Sequence, residues 1–442
     1  MRFSPVSQTK LMQSPCFFHH LPSPTVHCMI TPNKNLLSSI LSPIHTLSDM
    51  DLPRTADFVI IGGGIIGVSA AFHLTRMRAG KVVLLEKKHI AAGATGMSSG
   101  LVRMHYDNPI EATFAQKSFD TFQYFGEMVG GECGFVRTGF VRIVKPQNQE
   151  RMKANVAMMQ ALGVDTRLIS GDELAEIAPY MVSDDFSVAA YEPHSGYADP
   201  YLTATNIARA ARRQGARVAQ GVEVTGVAIR GGRVQGVQTP AGNIATPVVI
   251  NAAGPWGAKV AAMVGLKLDI TLALHQPAIL ETPADMPTPH LTFIDRINGV
   301  YGRPETGGLT LAGTSGSEHN GIISEDELDS YSETLDPRIQ YQVLENLCRR
   351  IPAMETSPVR RGHVGVEGYT QDGHALLGPA PDVEGFFLAT GMSGHGFKEG
   401  PAIGQIMAEL VVSGRTDIVD ITPLRVTRFE ENQPYQGPHA YI

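Results

Sequence analysis

Apolar residues come in short blocks separated by glycine turns, and their spacing predicts alternating strands and helices from residue 57 onward. Asp57–Ile61 (DFVII) reads as a buried strand, Gly62–Gly67 as a turn, Val68–Met77 as a helix and Lys81–Glu86 (KVVLLE) as a second buried strand. Between Glu111 and His194, helical stretches mix with short strands such as Phe140–Val144. Tyr201–Gln214 has amphipathic spacing, arginines late and Gly215 as its stop. Strands follow at Arg217–Ile229 and Arg233–Thr239 around Gly231–Gly232, then at Pro247–Ala253. Residues 270–315 look β-rich and Glu325–Ile351 helical. The chain closes with the strand Gly385–Thr390, a Gly-rich loop and the helix Pro401–Val412, its proline suited to a first turn. No internal repeat is evident.

Residues 1–49 break the pattern, with six prolines, four histidines, many serines and no acidic residue before Asp49. They read as a disordered leader, as sequence upstream of a true start at Met50, or as a targeting peptide that lacks the usual arginines. Lys plus Arg (36) against Asp plus Glu (43) leaves a net charge of −7 over 442 residues, which gives no basic footprint for nucleic acid. Four cysteines with no CxxC pair point to a reducing compartment. The most apolar stretch, Phe58–Phe72, has 15 residues and four glycines, too short and Gly-rich for a transmembrane segment. A soluble, cytoplasmic protein is expected, or a mitochondrial one if residues 1–49 are a transit peptide.

Gly62-Gly63-Gly64-Ile65-Ile66-Gly67 fits G-x-G-x-x-G between a strand and a helix, and Glu86 ends the next strand 19 residues beyond Gly67. Gly62 suits the tight turn, Gly64 the approach of a pyrophosphate, and Gly67 close helix–strand contact. The N–H groups at Ile65 and Ile66 face the phosphates. Glu86 suits ribose hydroxyls and repels a 2′-phosphate, which disfavours NADP. The motif does not separate NAD from FAD. A second strand–loop–helix unit, Gly391-Met392-Ser393-Gly394-His395-Gly396-Phe397-Lys398 after FFLAT, suits the anionic ring of a reduced flavin, or is an ordinary tight connection.

Five blocks taken together give the chain its resemblance: DFVIIGGGIIG, AAGATGMSSGLVRMHY, GYADPYLTATNIARAA, VVINAAGPW, and YTQDGHALLG with FFLATGMSGHGFKEGPAIG. From Asp57 to Thr416 it resembles the FAD-dependent amine oxidoreductases of the D-amino-acid oxidase superfamily, the branch with sarcosine oxidase, glycine oxidase and dimethylglycine dehydrogenase. The resemblance implies an α/β chain with a split, Rossmann-type FAD-binding domain (55–110, 195–265, 355–416). A substrate domain (111–194, 266–354) would carry a mostly antiparallel β-sheet with flanking helices, and 417–442 would be a C-terminal tail.

The same resemblance assigns the flavin-wrapping loop to Gly93, Ala94, Thr95, Ser98, Ser99 and Gly100. Lys87, Val224, Ala253, Gly254, Trp256, Gly391, Gly394, His395, Gly396, Phe397 and Lys398 are further cofactor contacts. Arg103 and Lys398 would clamp a substrate carboxylate, with His105 and Tyr106 lining the pocket; without the family context Arg103 reads as a surface ion pair and Lys398 as a solvated charge. Met97 stands where some relatives carry a histidine joined to flavin, and no cysteine occurs in His363–Glu367, where others attach it; Cys348 lies too far upstream. Non-covalent FAD is therefore expected.

Thr310 is expected at the position of an oxygen-activating lysine, and no lysine occurs between Lys267 and Lys398. An electron acceptor protein, a quinone or oxygen is the implied partner, with oxygen the poorer acceptor. The implied substrate is a small amino acid with a secondary or tertiary amine, oxidised by hydride transfer to flavin N5 and imine hydrolysis. A D-amino acid or 2-hydroxy acid, or a flavin-binding assembly factor with little turnover, is the alternative. Gly96–Gly100 matches G-x-S-x-G but lies in a loop rather than at a strand-to-helix elbow. The histidines show no metal-ligand spacing. Trp256 is read as packing at a domain interface, and Met152, Met158 and Met159 as core or pocket lining.

Overall fold

The computed structural model describes residues 52–315 and 320–441; the leader expectation for 1–49 lies outside them. One sheet has the strand order Leu376–Pro379, Phe386–Thr390, Val248–Asn251, Phe58–Ile61, Val82–Glu86, Arg217–Gln220. All neighbours run parallel except the edge strand Leu376–Pro379. Phe58–Ile61 is buried along its whole length, as a strand covered on both faces must be, which is why it reads as an unbroken apolar run. Chain order reverses between Phe58–Ile61 and Val248–Asn251, so the turns after these strands open a crevice at the carboxyl ends.

Two helices cover this crevice edge. On helix Gly396–Ser413, a Cβ at Gly404 would lie 2.3 Å from Ser69 Cβ, and one at Gly400 would lie 2.6 Å from Ile65 Cγ2. Only glycine lets this helix seat against helix Ile65–Arg76.

An eight-stranded sheet runs Val359–Gly362, Ala278–Glu281, Leu309–Thr314, Val300–Glu305, Thr292–Asp295, Phe140–Ile143, Ala189–Glu192, Arg167–Ile169. It is antiparallel apart from Thr292–Asp295 beside Phe140–Ile143. Val141, Ile143, Leu280 and Phe293 pack with Val343 and Leu347 of helix Pro337–Arg350. The alternate residues Phe140, Ile279, Ile294, Tyr301 and Leu311 gather with Leu101 on the opposite face. Both the parallel sheet and the mostly antiparallel one agree with the expected α/β class.

Four boundaries differ from expectation. The first helix begins at Ile65, because Val68 N–H already bonds to Gly64 O and the glycine turn is the helix start. The expected strand 217–229 breaks at Gly221 (φ +71°), and its halves enter different sheets. The helical stretch 325–351 reduces to a turn at Glu325–Glu327 and helix Pro337–Arg350, since a proline fits at a helix start and Asp336 caps it through Arg338 N–H at 2.8 Å. Pro401 lies inside the last helix, which begins at Gly396; the following N–H, of Ala402, turns to Ser118 Oγ at 3.0 Å. Among the described residues no helix is long and apolar enough to cross a membrane.

Residues 417–441 fold back as a strap. Arg428, with no exposure, bonds both oxygens of Asp372 at 2.8 Å and the carbonyls of His374 and Ala375. Asp372 also accepts from Tyr435 N–H at 2.8 Å. Removing one member leaves a buried charge without its partner, so Arg428→Ala is expected to cost about 3–5 kcal/mol in denaturant unfolding. A loss below about 1 kcal/mol would show the pair to be a surface-type contact.

Candidate functional site

The carboxyl ends of the parallel strands surround a groove. It is lined by Gly62, Gly64, Ile65, Ile66, Glu86 and Lys87, by Gly93, Ala94, Thr95 and Ser98, by Val224, Ala253, Gly254 and Trp256, and by Gly391, Gly394, Gly396 and Phe397. A Cβ at Gly62 (φ +111°) would sit 2.4 Å from Ala252 O, so the turn is closed to every other residue. Ile65 N–H is taken by Thr95 Oγ1 at 3.0 Å, which ties the loop to the helix start. The N–H of Ile66 remains among those a helix cannot pair internally. Glu86 accepts from Gly63 N–H and Lys88 N–H, both at 2.7 Å, and faces the groove with its remaining lone pairs.

Asp329 also lines this groove, and nothing in the sequence pointed to that residue. Its carboxylate pairs with Lys87 and accepts from Trp256 Nε1 at 2.9 Å, while Lys87 Nζ lies 4.2 Å from the Trp256 ring centre. Trp256 thus walls the groove.

Arg103 and Lys398 flank one aromatic ring. The Arg103 guanidinium lies 4.6 Å, and Lys398 Nζ 5.9 Å, from the centre of Tyr106. Arg103 donates from Nη1 to His105 O and leaves Nε unpartnered. Among the described residues Lys398 Nζ makes one long hydrogen bond, 3.4 Å to Gly394 O. Burial, and then the Arg103 charge, lower the Lys398 pKa to about 7. The buried His105 ring is held neutral by desolvation and by Arg142 and Arg103, and its Nε2 lies 2.6 Å from Tyr441 Oη on the strap.

Next to this pair is an acid cluster that linear spacing concealed. Ligand atoms of Glu111, His395 and Glu399 all lie within 4.8 Å of one another. Glu111 Oε1 bonds His374 Nδ1 at 2.7 Å and Oε2 accepts from Asn108 Nδ2 at 2.7 Å. Burial opposes ionisation of Glu111, but His395 and His374 together hold its carboxyl well below the usual range. Burial raises Glu399 well above it, and the Glu111 charge pushes the same way, so Glu399 stays protonated. Burial lowers the His395 pKa against the pull of the Glu111 carboxylate, whose Oε1 lies 3.5 Å from His395 Nδ1.

A family model described as FAD dependent oxidoreductase matches residues 57–410. The chain belongs to this family. Sarcosine dehydrogenase, mitochondrial, of Mus musculus is 30% identical over 396 residues, which cover 86% of this chain and 42% of that protein. The pyruvate dehydrogenase phosphatase regulatory subunit, mitochondrial, of Mus musculus is also 30% identical, over 82% of this chain and 42% of that protein. The chain therefore spans about two fifths of the length of these relatives. L-proline dehydrogenase from P. horikoshii superposes with a TM-score of 0.79 at 27% identity, over 87% of this chain and all of that one. Glycine oxidase from Geobacillus kaustophilus shares the fold at 22% identity, with a TM-score of 0.73 over 85% of this chain and 99% of that one.

The family's cofactor is FAD, and the groove fits it: a glycine turn, a helix start with an unpaired N–H, a carboxylate at the ribose end and a second helix start opposite. Five of the expected contacts lie elsewhere. Gly67 packs beneath the turn, where a Cβ would be 2.0 Å from Gly62 O. Ser99 O is held by Arg303 Nε and Gly100 O by Ala198 N–H, which draws both away from the groove. His395 and Lys398 turn toward Tyr106 instead of lining the groove.

Thr310 does not stand over the groove either. Its hydroxyl is buried against Thr282 Oγ1 at 2.8 Å and His290 Nε2 at 2.9 Å, while Leu311 faces Phe140 and Leu101. Strand alternation puts neighbours on opposite faces, so a shift of one residue reverses which side chain meets the groove. Met97 sits beside the other attachment stretch, its carbonyl 3.1 Å from His363 Nε2.

The perturbed lysine gives a pH test. Lys398 is charged below about pH 7 and neutral above it, so acetate binding to the FAD-loaded protein should weaken as pH rises from 6 to 8.5. A rise in Kd of about tenfold is expected, read from the flavin spectrum and abolished in Lys398→Met. A flat profile in the unmodified protein would contradict a charge at Lys398 in the carboxylate site.

Proposed function

We propose that the chain oxidises the C–N bond of a small amino acid carrying a secondary or tertiary amine, with FAD held non-covalently in the groove. The observation that carries this reading is the pair of buried cations, Arg103 and Lys398, on either side of Tyr106 at the start of the helix that closes the groove. Arg103 would meet the substrate carboxylate with its unpartnered Nε and its fork geometry, and Lys398 would meet it as a point charge. The carboxylate so fixed sets the distance and angle of the amine. Bound FAD supplies the redox step by accepting the hydride from the carbon beside nitrogen.

The ammonium form must lose a proton before that transfer. His395, beside the Glu111 carboxylate that also pairs with His374, would receive it. The buried rings of Tyr106 and Phe140, which lie against the Arg103 guanidinium, keep water from it. The resulting imine hydrolyses in solvent.

The sarcosine dehydrogenase relatives support an N-methylated substrate, and their being mitochondrial proteins favours the mitochondrial alternative over the cytoplasmic one. With no lysine between Lys267 and Lys398 to stand at the position of the oxygen-activating lysine, an acceptor protein or quinone is favoured over oxygen. A non-catalytic reading has one observation in its favour, the equal identity to a relative named as a regulatory subunit.

Anaerobic titration of the yellow protein separates these readings. Sarcosine, dimethylglycine or proline should bleach the flavin, and Arg103→Ala should slow bleaching by about 100-fold or more while flavin stays bound. Bleaching by D-alanine alone would move the substrate class. A flavin that no amino acid reduces would favour the non-catalytic reading.

A further inference from the structure

Interior guanidinium groups in this protein are normally matched to carboxylates. Arg303 pairs with Glu305 at 2.9 Å, Arg350 with Asp185 and Asp295 at 2.8 and 2.7 Å, and Arg428 with Asp372 at 2.8 Å. Arg103 of the cation pair and two further arginines, Arg142 and Arg296, break this rule. Arg103, Arg142 and Arg296 have no ion pair among the described residues, and the Nε atoms of Arg103 and Arg142 are buried without any partner.

Strand alternation explains why they converge. Phe140 and Arg142 lie on one face of their strand, Ile294 on the neighbouring strand is the register partner of Arg142, and Arg296 is the first residue beyond that strand's end at Asp295. Arg296 N–H bonds to Ile143 O at 3.0 Å, which fixes the two chain segments side by side. The Arg103 guanidinium lies 5.9 Å from the Phe140 ring on that same face. Arg142 is two residues farther along the strand, about 7 Å away at the strand rise.

The charges facing this group come from every surrounding element. Asp107 is the acid that acts on Arg142 and Arg296. Glu192, opposite Phe140, spends Oε2 on Met104 N–H and Ser195 Oγ, and burial raises its pKa. Tyr441 covers Arg142 with its ring at 5.5 Å, and His105 is neutral. Burial and mutual repulsion lower the pKa of Arg142 to about 9 and that of Arg296 in the same direction. Three guanidinium groups without an ion pair among the described residues, two of them with a buried and unpartnered Nε, are costly unless an anion arrives from outside.

We propose that Arg142 and Arg296 form a second anion subsite beside the Arg103–Lys398 clamp, so that the substrate is an amino acid with two carboxylates. The second carboxylate sits a short carbon chain from the first, on the side chain or on the nitrogen substituent. This rests on the proposed oxidation of an amino acid, and binding and oxidation can be read separately.

The test uses the FAD-loaded protein and the flavin spectrum as reporter. Succinate is expected to bind about tenfold or more tightly than butyrate, which has the same chain length and one carboxylate. Arg142→Met should remove that preference while the Kd of acetate changes by less than about threefold, and Arg103→Ala should weaken both. Reduction by N-methylaspartate compared with N-(carboxymethyl)glycine, each against sarcosine, decides which branch carries the second carboxylate. Equal binding of succinate and butyrate overturns the subsite, and that comparison needs no variant. So does an Arg142→Met protein that keeps the preference, or one that weakens acetate and succinate alike. Tight succinate binding with no amine able to reduce the flavin would instead retain the subsite and reject the oxidation.

Discussion

Glycines at 400 and 404 allow the last helix to lie against Ile65 and Ser69 at distances that no larger residue permits. That contact brings two helix starts, separated by more than three hundred residues, to one edge of one parallel sheet. The first presents N–H groups where a pyrophosphate belongs. The second carries His395, Lys398 and Glu399 in its first turn or just before it, so seating the helix also seats the chemistry. Pro401 sharpens the arrangement by diverting Ala402 N–H to Ser118, which anchors the last helix to helix Pro109–Gln123, the element that supplies Glu111.

Burial then does different things to different charges. Glu111 is kept ionised by two histidines, Glu399 is driven neutral beside it, and Lys398 is brought close to neutrality by desolvation and by Arg103. Such a site holds its cations with incomplete pairing, which is costly to stability and suited to an anionic ligand. The strap of residues 417–441 offsets part of that cost, through the Arg428–Asp372 pair at one end and Tyr441 against His105 and Arg142 at the other.

What could be read from the sequence was local. The buried strands, the glycine turn and Glu86 each sit in a contiguous block whose pattern survives folding, whereas Arg103 and Lys398 were singled out by the resemblance alone and meet at the Tyr106 ring. Boundaries failed where one residue decided them, as at Gly221 and Pro401. Thr310 failed because strand alternation makes a shift of one residue a change of face. Asp329, the Glu111–His374–His395 chain and the Arg142–Arg296 pair had no local signature at all. They are joined by contacts between segments far apart in the chain, and each alone reads as a solvated charge.

The measurement that tests the account most directly is a crystal structure of the FAD-loaded protein with a bound carboxylate inhibitor. The account predicts flavin between the Gly62–Gly64 turn and the Gly396 helix start, with the carboxylate bonded to Arg103 and Lys398 beside Tyr106. A carboxylate bound elsewhere, or Arg103 turned onto a protein carboxylate such as Glu192, would contradict it.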